Sequence, residues 1–335
     1  MIVAAGRGSR MGPITDSVPK GMIAIGGMPL IEHTVRSLRM AGITSFVVGI
    51  GWRGNQIQNY LSSMFPELNI DFAEVDYSQG GPLQTLVAAL KYTGNEPFLL
   101  TPADYVVDPV VISQLVAELQ KTDHTAMASV ATIQERPRGS KIYLGAEGNI
   151  VGIERIVKST SKTVSSGMML LASDEAKAWF LNAASDGETS VAETINQMIE
   201  QDQRIASVPV SGELYDIDEP RNLLDAMEYI LQTARIRRDD SIYVPAGDVI
   251  DVNDNMLMDS GLSLGEGTRL IGPTYISSFT SIGAECIIGP MVSVERRSVV
   301  ESGLSLRRVL LLEDSKAERN HENVVISGSN IVGEN

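Results

Sequence analysis

Short apolar runs alternate with amphipathic stretches over the first half of the chain. The apolar runs predict strands at Ile2–Ala4, Phe46–Ile50, Ile70–Glu74 and Phe98–Thr101, followed by strands at Ala126–Ala131, Ile150–Ile156 and Gly167–Leu171. The stretches with helical spacing predict helices at Pro29–Ala41, Asn55–Met64, Pro82–Lys91, Pro109–Lys121 and Ser190–Gln201. Strands that alternate with helices are typical of βαβ units, so this part is predicted to be an α/β domain with a mixed, mainly parallel sheet.

A different period governs the chain beyond a predicted helix at Arg221–Arg238. Aliphatic residues recur at every sixth position: Val252, Met258, Leu264, Leu270, Ile276, Ile282, Ile288, Val294, Val300, Leu306 and Leu312. A second row of smaller residues precedes them by two positions and includes Thr268, Thr274, Thr280, Cys286 and Val292. This pattern resembles the hexapeptide repeat of left-handed parallel β-helices, in which each short strand buries one side chain against the coils above and below. The period fails between Glu313 and Glu322, which predicts a loop outside the coil.

Composition and charge narrow the function classes. The chain has 335 residues, of which 43% are hydrophobic, so two domains with ample cores are expected. Its 27 basic and 42 acidic residues give a net charge of −15, which argues against a nucleic acid or an anionic membrane as partner. Cys286 is the single cysteine, which excludes an intrachain disulfide and fits a reducing compartment. The apolar run Ile2–Ala5 is too short for a signal peptide or a membrane span, so a cytoplasmic protein is predicted.

Candidate chemistry is concentrated directly after the first predicted strand. The segment reads Ala4-Ala-Gly6-Arg7-Gly8-Ser9-Arg10-Met11-Gly12 and ends with Pro19-Lys20. Its glycines let backbone N–H groups approach phosphate oxygens, and Arg10 and Lys20 supply positive charge that the acidic chain otherwise lacks. A dinucleotide fingerprint does not fit because its third glycine would fall at Met11, and a Walker loop does not fit because no Gly-Lys-Ser/Thr follows.

The signature between Ala4 and Lys20 resembles the G-x-G-T/S-R and P-K signature of nucleotidyltransferases that activate sugar-1-phosphates. The resemblance continues through Ile23–Thr34, Gly51–Gly54 and the hexapeptide tail. It implies a Rossmann-like nucleotidyltransferase domain over residues 1–220, a linker helix over 221–240 and a left-handed parallel β-helix over 241–335. It also implies the reaction, in which a sugar-1-phosphate of the glucose-1-phosphate or N-acetylglucosamine-1-phosphate class attacks the α-phosphorus of a nucleoside triphosphate and pyrophosphate leaves.

Site residues follow from the same resemblance. Arg10 and Lys20 are expected to be catalytic, and the nucleotide is expected to contact Ala5, Gly6, Gly8, Ser9, Gln79 and Gly81. A metal-binding aspartate is expected at Asp104, after the strand Phe98–Thr101, with Asp216 as the second acid and Asp218 as its rival. Carboxylate oxygens suit Mg²⁺, which bridges triphosphate oxygens and neutralises developing charge.

The sugar half of the site is expected at Gly139, Glu154 and Lys158. Ser165-Ser166-Gly167 stands where the family commonly has Asn-Thr-Gly, so the resemblance does not identify the sugar, and Lys158 is equally consistent with a solvated cation at a strand end. The base is likewise left open.

Two other function classes remain open. One is a cytidylyltransferase for another phosphorylated alcohol, such as choline phosphate, since the Gly-Ser-Arg form also resembles those enzymes. The other is a non-catalytic sensor of nucleotide sugars, against which the retained Arg10, Lys20, Asp104 and Asp216 argue. A second, acetyl-transferring activity would need a histidine in the coils, where only His321 is available, in the predicted loop. The flat faces of a β-helix predict a homo-oligomer.

Overall fold

The computed structural model describes residues 1–78, 81–120, 126–133, 140–166 and 169–332. The chain forms two compact units. The first unit comprises Met1–Arg7, Pro19–Gly21 and Thr34–Asp216, and the second comprises Gly8–Val18, Met22–His33 and Ile217–Asn335. No helix in these described ranges is long and apolar enough to cross a membrane.

The helices are α1 (Leu30–Met40), α2 (Gly54–Met64), α3 (Pro82–Leu90), α4 (Pro109–Val116), α5 (Ala176–Ser185), α6 (Val191–Glu200) and α7 (Pro220–Gln232). Short 3-10 helices lie at Ser9–Asp16, Lys20–Met22 and Ala117–Gln120. The predicted end of α1 is confirmed, because Gly42 adopts a φ of +90° and its N–H donates to the Arg39 carbonyl at 2.9 Å.

Among the residues described before α7, fourteen strands are formed: β1 (Ile2–Ala4), β2 (Ala24–Ile25), β3 (Met28–Pro29), β4 (Ser45–Ile50), β5 (Asn69–Glu74), β6 (Phe98–Pro102), β7 (Tyr105–Val107), β8 (Ala128–Thr132), β9 (Ser140–Leu144), β10 (Ile150–Ile153), β11 (Lys162–Ser166), β12 (Leu170–Ala172), β13 (Ile205–Pro209) and β14 (Leu214–Asp216). Seven of them form the main sheet of the first unit in the order β13-β8-β12-β6-β1-β4-β5. Its pairs are parallel except that β12 runs antiparallel to both neighbours. This is the predicted mixed sheet of a Rossmann-like domain.

Aliphatic and aromatic side chains from the sheet and from α5 and α6 form the core of the first unit. Leu170 and Val130 of the sheet are fully buried beside Ile195 of α6. The rings of Phe98 and Phe180 meet edge to face with centroids 6.3 Å apart. The core therefore fixes β6, whose carboxyl end carries Asp104.

Some predicted boundaries differ from the observed ones. The strand predicted at Ile150–Ile156 ends at Ile153 because Glu154 adopts a φ of +60°, which is incompatible with extended backbone. The helix predicted at Pro109–Lys121 ends at Val116 and tightens into a 3-10 turn, and Lys121 lies outside the described residues, as does Gly167 at the start of another predicted strand. The helix predicted at Arg221–Arg238 is α7, which ends at Gln232, and Ala234 follows at a φ of +53°.

After α7, the described part of the second unit is built almost wholly of short strands. They are β15 (Ile242–Val244), β16 (Val249–Asp251), β17 (Met256–Leu257), β18 (Ser263–Leu264), β19 (Arg269–Ile271), β20 (Thr274–Ile276), β21 (Ser281–Ile282), β22 (Ile287–Ile288), β23 (Val292–Val294), β24 (Val299–Val300), β25 (Ser305–Leu311), β26 (Lys316–Ala317), β27 (His321–Ser327) and β28 (Asn330–Val332). We call residues 241–332 the β domain. Parallel partners recur after three hexads, so that Leu264 pairs with Ile282 and Ile282 with Val300. The predicted aliphatic row is buried along this stack, apart from the half-buried Met258.

The prediction of a loop between Glu313 and Glu322 is wrong. β26 pairs in parallel with β24, and β27 pairs in parallel with β25, so the stack continues through this segment. The hexad period is lost because the spacing between partners shortens: Val300 pairs with Ala317, and Leu306 pairs with His321. The buried Ala317 stands where earlier repeats carry a larger aliphatic side chain.

Candidate active site

Lys20 and Asp104 are brought together in the first unit. Asp104 lies between β6 and β7, and the Ala103 N–H donates to the Val3 carbonyl at 3.0 Å, which extends the β1–β6 pairing up to this acid. The Lys20 ammonium forms an ion pair with Oδ2 of Asp104, and the two side chains are only 12% and 19% exposed. The signature lysine and the predicted metal-binding acid therefore share one half-buried position at the carboxyl end of the sheet, where open α/β sheets bind ligands.

Asp216 is the last residue of β14, which pairs antiparallel with β7 so that Asp216 lies opposite Tyr105. The Tyr105 hydroxyl donates to Oδ2 of Asp216 at 3.4 Å. Tyr105 directly follows Asp104, so the pairing of β7 with β14 places the two predicted metal acids at neighbouring backbone positions.

Two hydroxyls of α1 support the same ribbon. Thr34 Oγ1 donates to the carbonyl of Tyr105 at 2.9 Å, and Ser37 Oγ donates to the carbonyl of Val107 at 2.7 Å. Both hydroxyls are buried. The sequence analysis did not identify these residues, although polar residues on the inward face of an otherwise amphipathic helix are a usable signal for such contacts.

The end of β1 lies against the end of β4. The Ala5 carbonyl accepts a hydrogen bond from the Trp52 N–H at 2.9 Å, and a Cβ at Gly51 would lie 2.7 Å from the same carbonyl. The rings of Trp52 and Tyr77 meet edge to face, with their centroids 5.2 Å apart. The Arg7 guanidinium stacks over the Trp52 ring, 4.9 Å from its centroid. The predicted nucleotide contacts Ala5 and Gly6 thus adjoin a partly exposed aromatic and cationic cluster.

Gly81 precedes α3 at a point of close backbone approach. A Cβ there would lie 2.6 Å from the Thr189 carbonyl, which accepts a hydrogen bond from the Leu83 N–H at 3.1 Å. The Gly81 N–H donates to Oε1 of Gln84 at 2.9 Å. Packing therefore requires glycine at this position independently of a nucleotide. Gln79, the other residue predicted to contact the base, lies outside the described residues.

Gly8, Ser9 and Arg10 belong to the second unit. Gly8 adopts a φ of +70°, and its carbonyl accepts hydrogen bonds from the Met11 N–H at 2.9 Å and Thr15 Oγ1 at 3.0 Å. The Arg10 guanidinium is 68% exposed and pairs with Oδ1 of Asp218 at 2.9 Å. Asp218, the predicted rival of Asp216 for the metal, is therefore an ion-pair partner of the signature arginine.

A cleft of about 630 Å³ opens beside this loop within the second unit. Arg10–Pro13 line one part of it, the start of α7 at Glu219–Arg221 lines another, and Asn330–Val332 of β28 lines the rest. The signature loop therefore borders a concave surface to which the β domain contributes residues.

Glu154 and Lys158, two of the three residues predicted for the sugar, are engaged in other contacts. Oε1 of Glu154 accepts a hydrogen bond from the Lys141 N–H at 3.1 Å. The Lys158 ammonium pairs with Oδ1 of Asp202 at 2.6 Å, and this hydrogen bond, together with the charge of Lys158, lowers the pKa of Asp202. Gly139 lies outside the described residues.

The donor set at the carboxyl end of the sheet fits a hard divalent cation. Asp104 and Asp216 offer carboxylate oxygens, the ligand type that such cations prefer. Within the described ranges, no group of three or more His, Cys, Asp and Glu residues is arranged to hold a metal ion. A cation here would complete its coordination with substrate oxygens or water.

Comparison with known proteins extends the picture to the whole chain. A family model described as MobA-like NTP transferase domain matches residues 1–238. The chain is 21% identical to "Probable mannose-1-phosphate guanylyltransferase 3" of Oryza sativa subsp. japonica, over 100% of this chain and 87% of that protein. It is 37% identical to the N-acetylmuramate alpha-1-phosphate uridylyltransferase of Neisseria meningitidis serogroup B, over 32% of this chain and 47% of that protein.

Solved structures support the fold. The inositol-1-phosphate CTP transferase from T. maritima superposes with a TM-score of 0.58 at 16% identity, covering 68% of this chain and 94% of its own. At that identity the likeness concerns the fold alone.

Proposed function

We propose, from the premise that this chain belongs to the family of MobA-like NTP transferases, that it transfers a nucleotidyl group from a nucleoside triphosphate to a hexose-1-phosphate. The products are a nucleoside diphosphate sugar and pyrophosphate. One observation carries the proposal: the ion pair that joins the signature residue Lys20 to Asp104 at the carboxyl end of β6.

The reaction is an in-line displacement between two polyanions. An oxygen of the sugar phosphate attacks the α-phosphorus and the bond to pyrophosphate breaks, so no covalent enzyme intermediate is needed. Catalysis then consists mostly of positioning and charge stabilisation. When the substrates bind, Lys20 leaves Asp104 and contacts phosphate oxygens. Arg10 likewise leaves Asp218 and contacts the triphosphate.

Asp104 and Asp216 would hold Mg²⁺ in this proposal. When bound, the ion neutralises charge that develops on the triphosphate oxygens. The chain's own part is to present both carboxylates from the ribbon of β7 and β14, which Thr34 and Ser37 hold by their hydroxyls.

Nucleotide recognition is assigned to backbone groups of Ala5, Gly6, Gly8, Ser9 and Gly81 and to Gln79. The sugar phosphate is assigned to Gly139, Glu154 and Lys158. Lys158 would exchange Asp202 for the phosphate, which its 40% exposure permits. Mannose-1-phosphate with GTP is the first pair to test, because the guanylyltransferase relative spans the whole chain.

We assign the β domain to a left-handed β-helix, following a transferase domain at 1–220 and a linker over 221–240. Parallel partners after every three hexads, with one aliphatic side chain buried per hexad, support this assignment. Its flat faces would assemble a homo-oligomer.

Pyrophosphate release is the direct test. Each nucleoside triphosphate is combined with mannose-1-phosphate, glucose-1-phosphate, N-acetylglucosamine-1-phosphate and choline phosphate, with and without Mg²⁺. Release with a sugar-1-phosphate that depends on Mg²⁺ is expected. Release with choline phosphate alone would select the cytidylyltransferase alternative, and nucleotide-sugar binding without release from any pair would select the sensor.

A further inference from the structure

Glu295 is a buried carboxylate of the β domain that the proposed reaction does not use. It follows β23 and is 1% exposed. Oε1 accepts hydrogen bonds from the Gly26 N–H at 2.8 Å and from Ser293 Oγ at 2.6 Å, and Oε2 accepts one from the Gly27 N–H at 3.0 Å. Both oxygens therefore act as acceptors, which is the bonding pattern of an ionised carboxylate.

Gly26 and Gly27 form the tight turn between β2 and β3. Both have positive φ, +62° and +76°, as a type I′ hairpin turn requires. A Cβ on Gly26 would lie 2.8 Å from Cγ2 of Ile236, and a Cβ on Gly27 would meet the Tyr275 ring. The turn therefore fits closely against its surroundings in the second unit.

Arg237 completes the hold on the turn. Its N–H donates to the Gly26 carbonyl at 2.8 Å, and its Nε donates to the Gly27 carbonyl at 3.0 Å. All four backbone polar groups of the two glycines are thus bonded, the two N–H groups to Glu295 and the two carbonyls to Arg237. We call this arrangement the glycine clamp.

Charged and titratable groups surround the clamp from several elements. From the β domain, Tyr275 and Glu313 face Glu295. In addition to burial, the charge of Glu313 raises the pKa of Glu295, and the charge of Glu295 raises the pKa of Tyr275. From the other side, Arg237 pairs with the buried Glu32 of α1 at 2.6 Å, and His33 Nε2 lies 3.0 Å from the Ile25 carbonyl.

Burial raises the pKa of Glu295 to about 7, against the opposing effect of its hydrogen bonds to Ser293, Gly27 and Gly26. Burial also raises the pKa of Tyr275 to about 12, so the phenol stays neutral where Glu295 titrates. Glu295 is therefore the group of the clamp whose charge changes near neutral pH.

We propose that ionised Glu295 is a positioning residue that holds the Lys20-bearing chain in its catalytic conformation through the Gly26–Gly27 turn. This inference rests on the proposed function. The turn follows Lys20 closely along the chain, because the 3-10 helix Lys20–Met22 leads directly into β2 and the Leu30 N–H closes the hairpin on the Ile23 carbonyl at 3.0 Å.

Protonation of Glu295 would weaken the clamp by removing the negative charge that its N–H donors face. A proton on Oε1 can be donated to Ser293 Oγ, but the protonated oxygen is a poorer acceptor than a carboxylate oxygen, so the bonds from the Gly26 and Gly27 N–H groups lose their charge-assisted strength. A looser turn would displace Lys20, and a small displacement of a charge-stabilising group lowers kcat more than it raises KM.

The test is the pH dependence of kcat for pyrophosphate release by the full-length chain. For the wild type, kcat should fall as the pH is lowered through about 7. Glu295→Gln should reduce kcat by about tenfold to hundredfold and remove this acid limb.

Ser293→Ala deletes a donor that favours the ionised form of Glu295, so the acid limb should move to higher pH. Glu301→Gln, which alters an exposed carboxylate of the same domain, should keep the wild-type profile. A wild-type limb in Glu295→Gln, or an unmoved limb in Ser293→Ala, would overturn the proposal.

A second readout needs no substrate and separates this inference from the proposed function. Because the folded pKa of Glu295 lies above its ordinary value of 4.5, its contribution to stability is full below pH 4.5 and is lost as the pH rises to about 7. The unfolding midpoint of the wild type should show this decline, and that of Glu295→Gln should show less of it. If no pair of substrates gives pyrophosphate, the proposed function fails and the catalytic role fails with it. Equal declines in both proteins would instead show that Glu295 does not titrate in the clamp.

Discussion

At the scale of single residues, the ion pair between Lys20 and Asp104 is the centre of the site. Each side chain neutralises the other in the ligand-free chain, so neither charge is left half-buried without a partner. In the proposed reaction, a triphosphate with its cation would offer each of them a new partner of opposite charge.

Replacing either residue with alanine should remove most turnover. We expect Lys20→Ala and Asp104→Ala each to lower kcat by about 10²- to 10³-fold, because each removes a charge that stabilises the transition state. Circular dichroism should report an intact fold. Lys91→Ala, which alters an exposed lysine at the end of α3, is the matched control and should release pyrophosphate at the wild-type rate. Near-normal release by both site variants would rule out the assignment.

Candidate residues in a local motif could be proposed from the sequence, and contacts between distant segments could not. Lys20 stands in the signature, and Asp104 was expected from the family resemblance, after a predicted strand. The pairing of Arg10 with Asp218 joins segments some 200 residues apart, so no local pattern contains it. Glu295 was missed for a related reason: the hexad period marks only the aliphatic rows, and a polar residue directly after Val294 gives no sign that a distant turn covers it.

At the scale of elements, buried and exposed side chains alternate within the short strands of the β domain. In β22, Ile288 is fully buried in the stack whereas its neighbour Ile287 is 46% exposed. The two side chains are chemically identical, so any difference between their alanine variants reflects burial alone.

Ile288→Ala should destabilise the protein by about 2–4 kcal/mol, because it removes buried methyl groups and leaves a cavity between coils. Ile287→Ala should cost well under about 1 kcal/mol. Denaturant unfolding monitored by circular dichroism measures both values. Equal losses would contradict the inward row on which the assignment of the β domain depends.

The success of prediction for elements depended on length and regularity. Most of the longer strands and helices of the first unit were predicted to within a few residues, because their apolar periodicity extends over several turns or pleats. α5 was missed although it is ten residues long. Short or half-exposed strands such as β7, β9, β11 and β14 were missed, since three to five residues carry too little pattern. The supposed loop after Glu313 was an error of a different kind, because the stack continues there with unequal repeats and a small residue, Ala317, in the buried row.

At the scale of the whole molecule, the second unit is assembled from both ends of the chain. Gly8–Val18 and Met22–His33 belong with Ile217–Asn335. The N–H groups of Gly26 and Gly27 accordingly find their acceptor in Glu295. A transferase domain cut at residue 220 would lack that acceptor.

Truncation after Pro220 should therefore expose the hairpin of β2 and β3. We expect rapid hydrogen exchange at the Gly26 and Gly27 amides, together with loss of pyrophosphate release. Full-length Lys20→Ala is the control that separates structure from chemistry, since it should be inactive while both amides stay protected. Wild-type protection in the truncated chain would show that residues 8–33 hold their conformation without the β domain.

This arrangement also has a consequence for biosynthesis. The apolar side chains of Met11, Ile14 and Ile25, which are buried in the folded protein, are synthesised before Ile217–Asn335, the segment that belongs to the same unit. Contacts of such high sequence separation form late in folding. A polypeptide whose synthesis stops before Ile217 would therefore leave these apolar side chains without the rest of their unit.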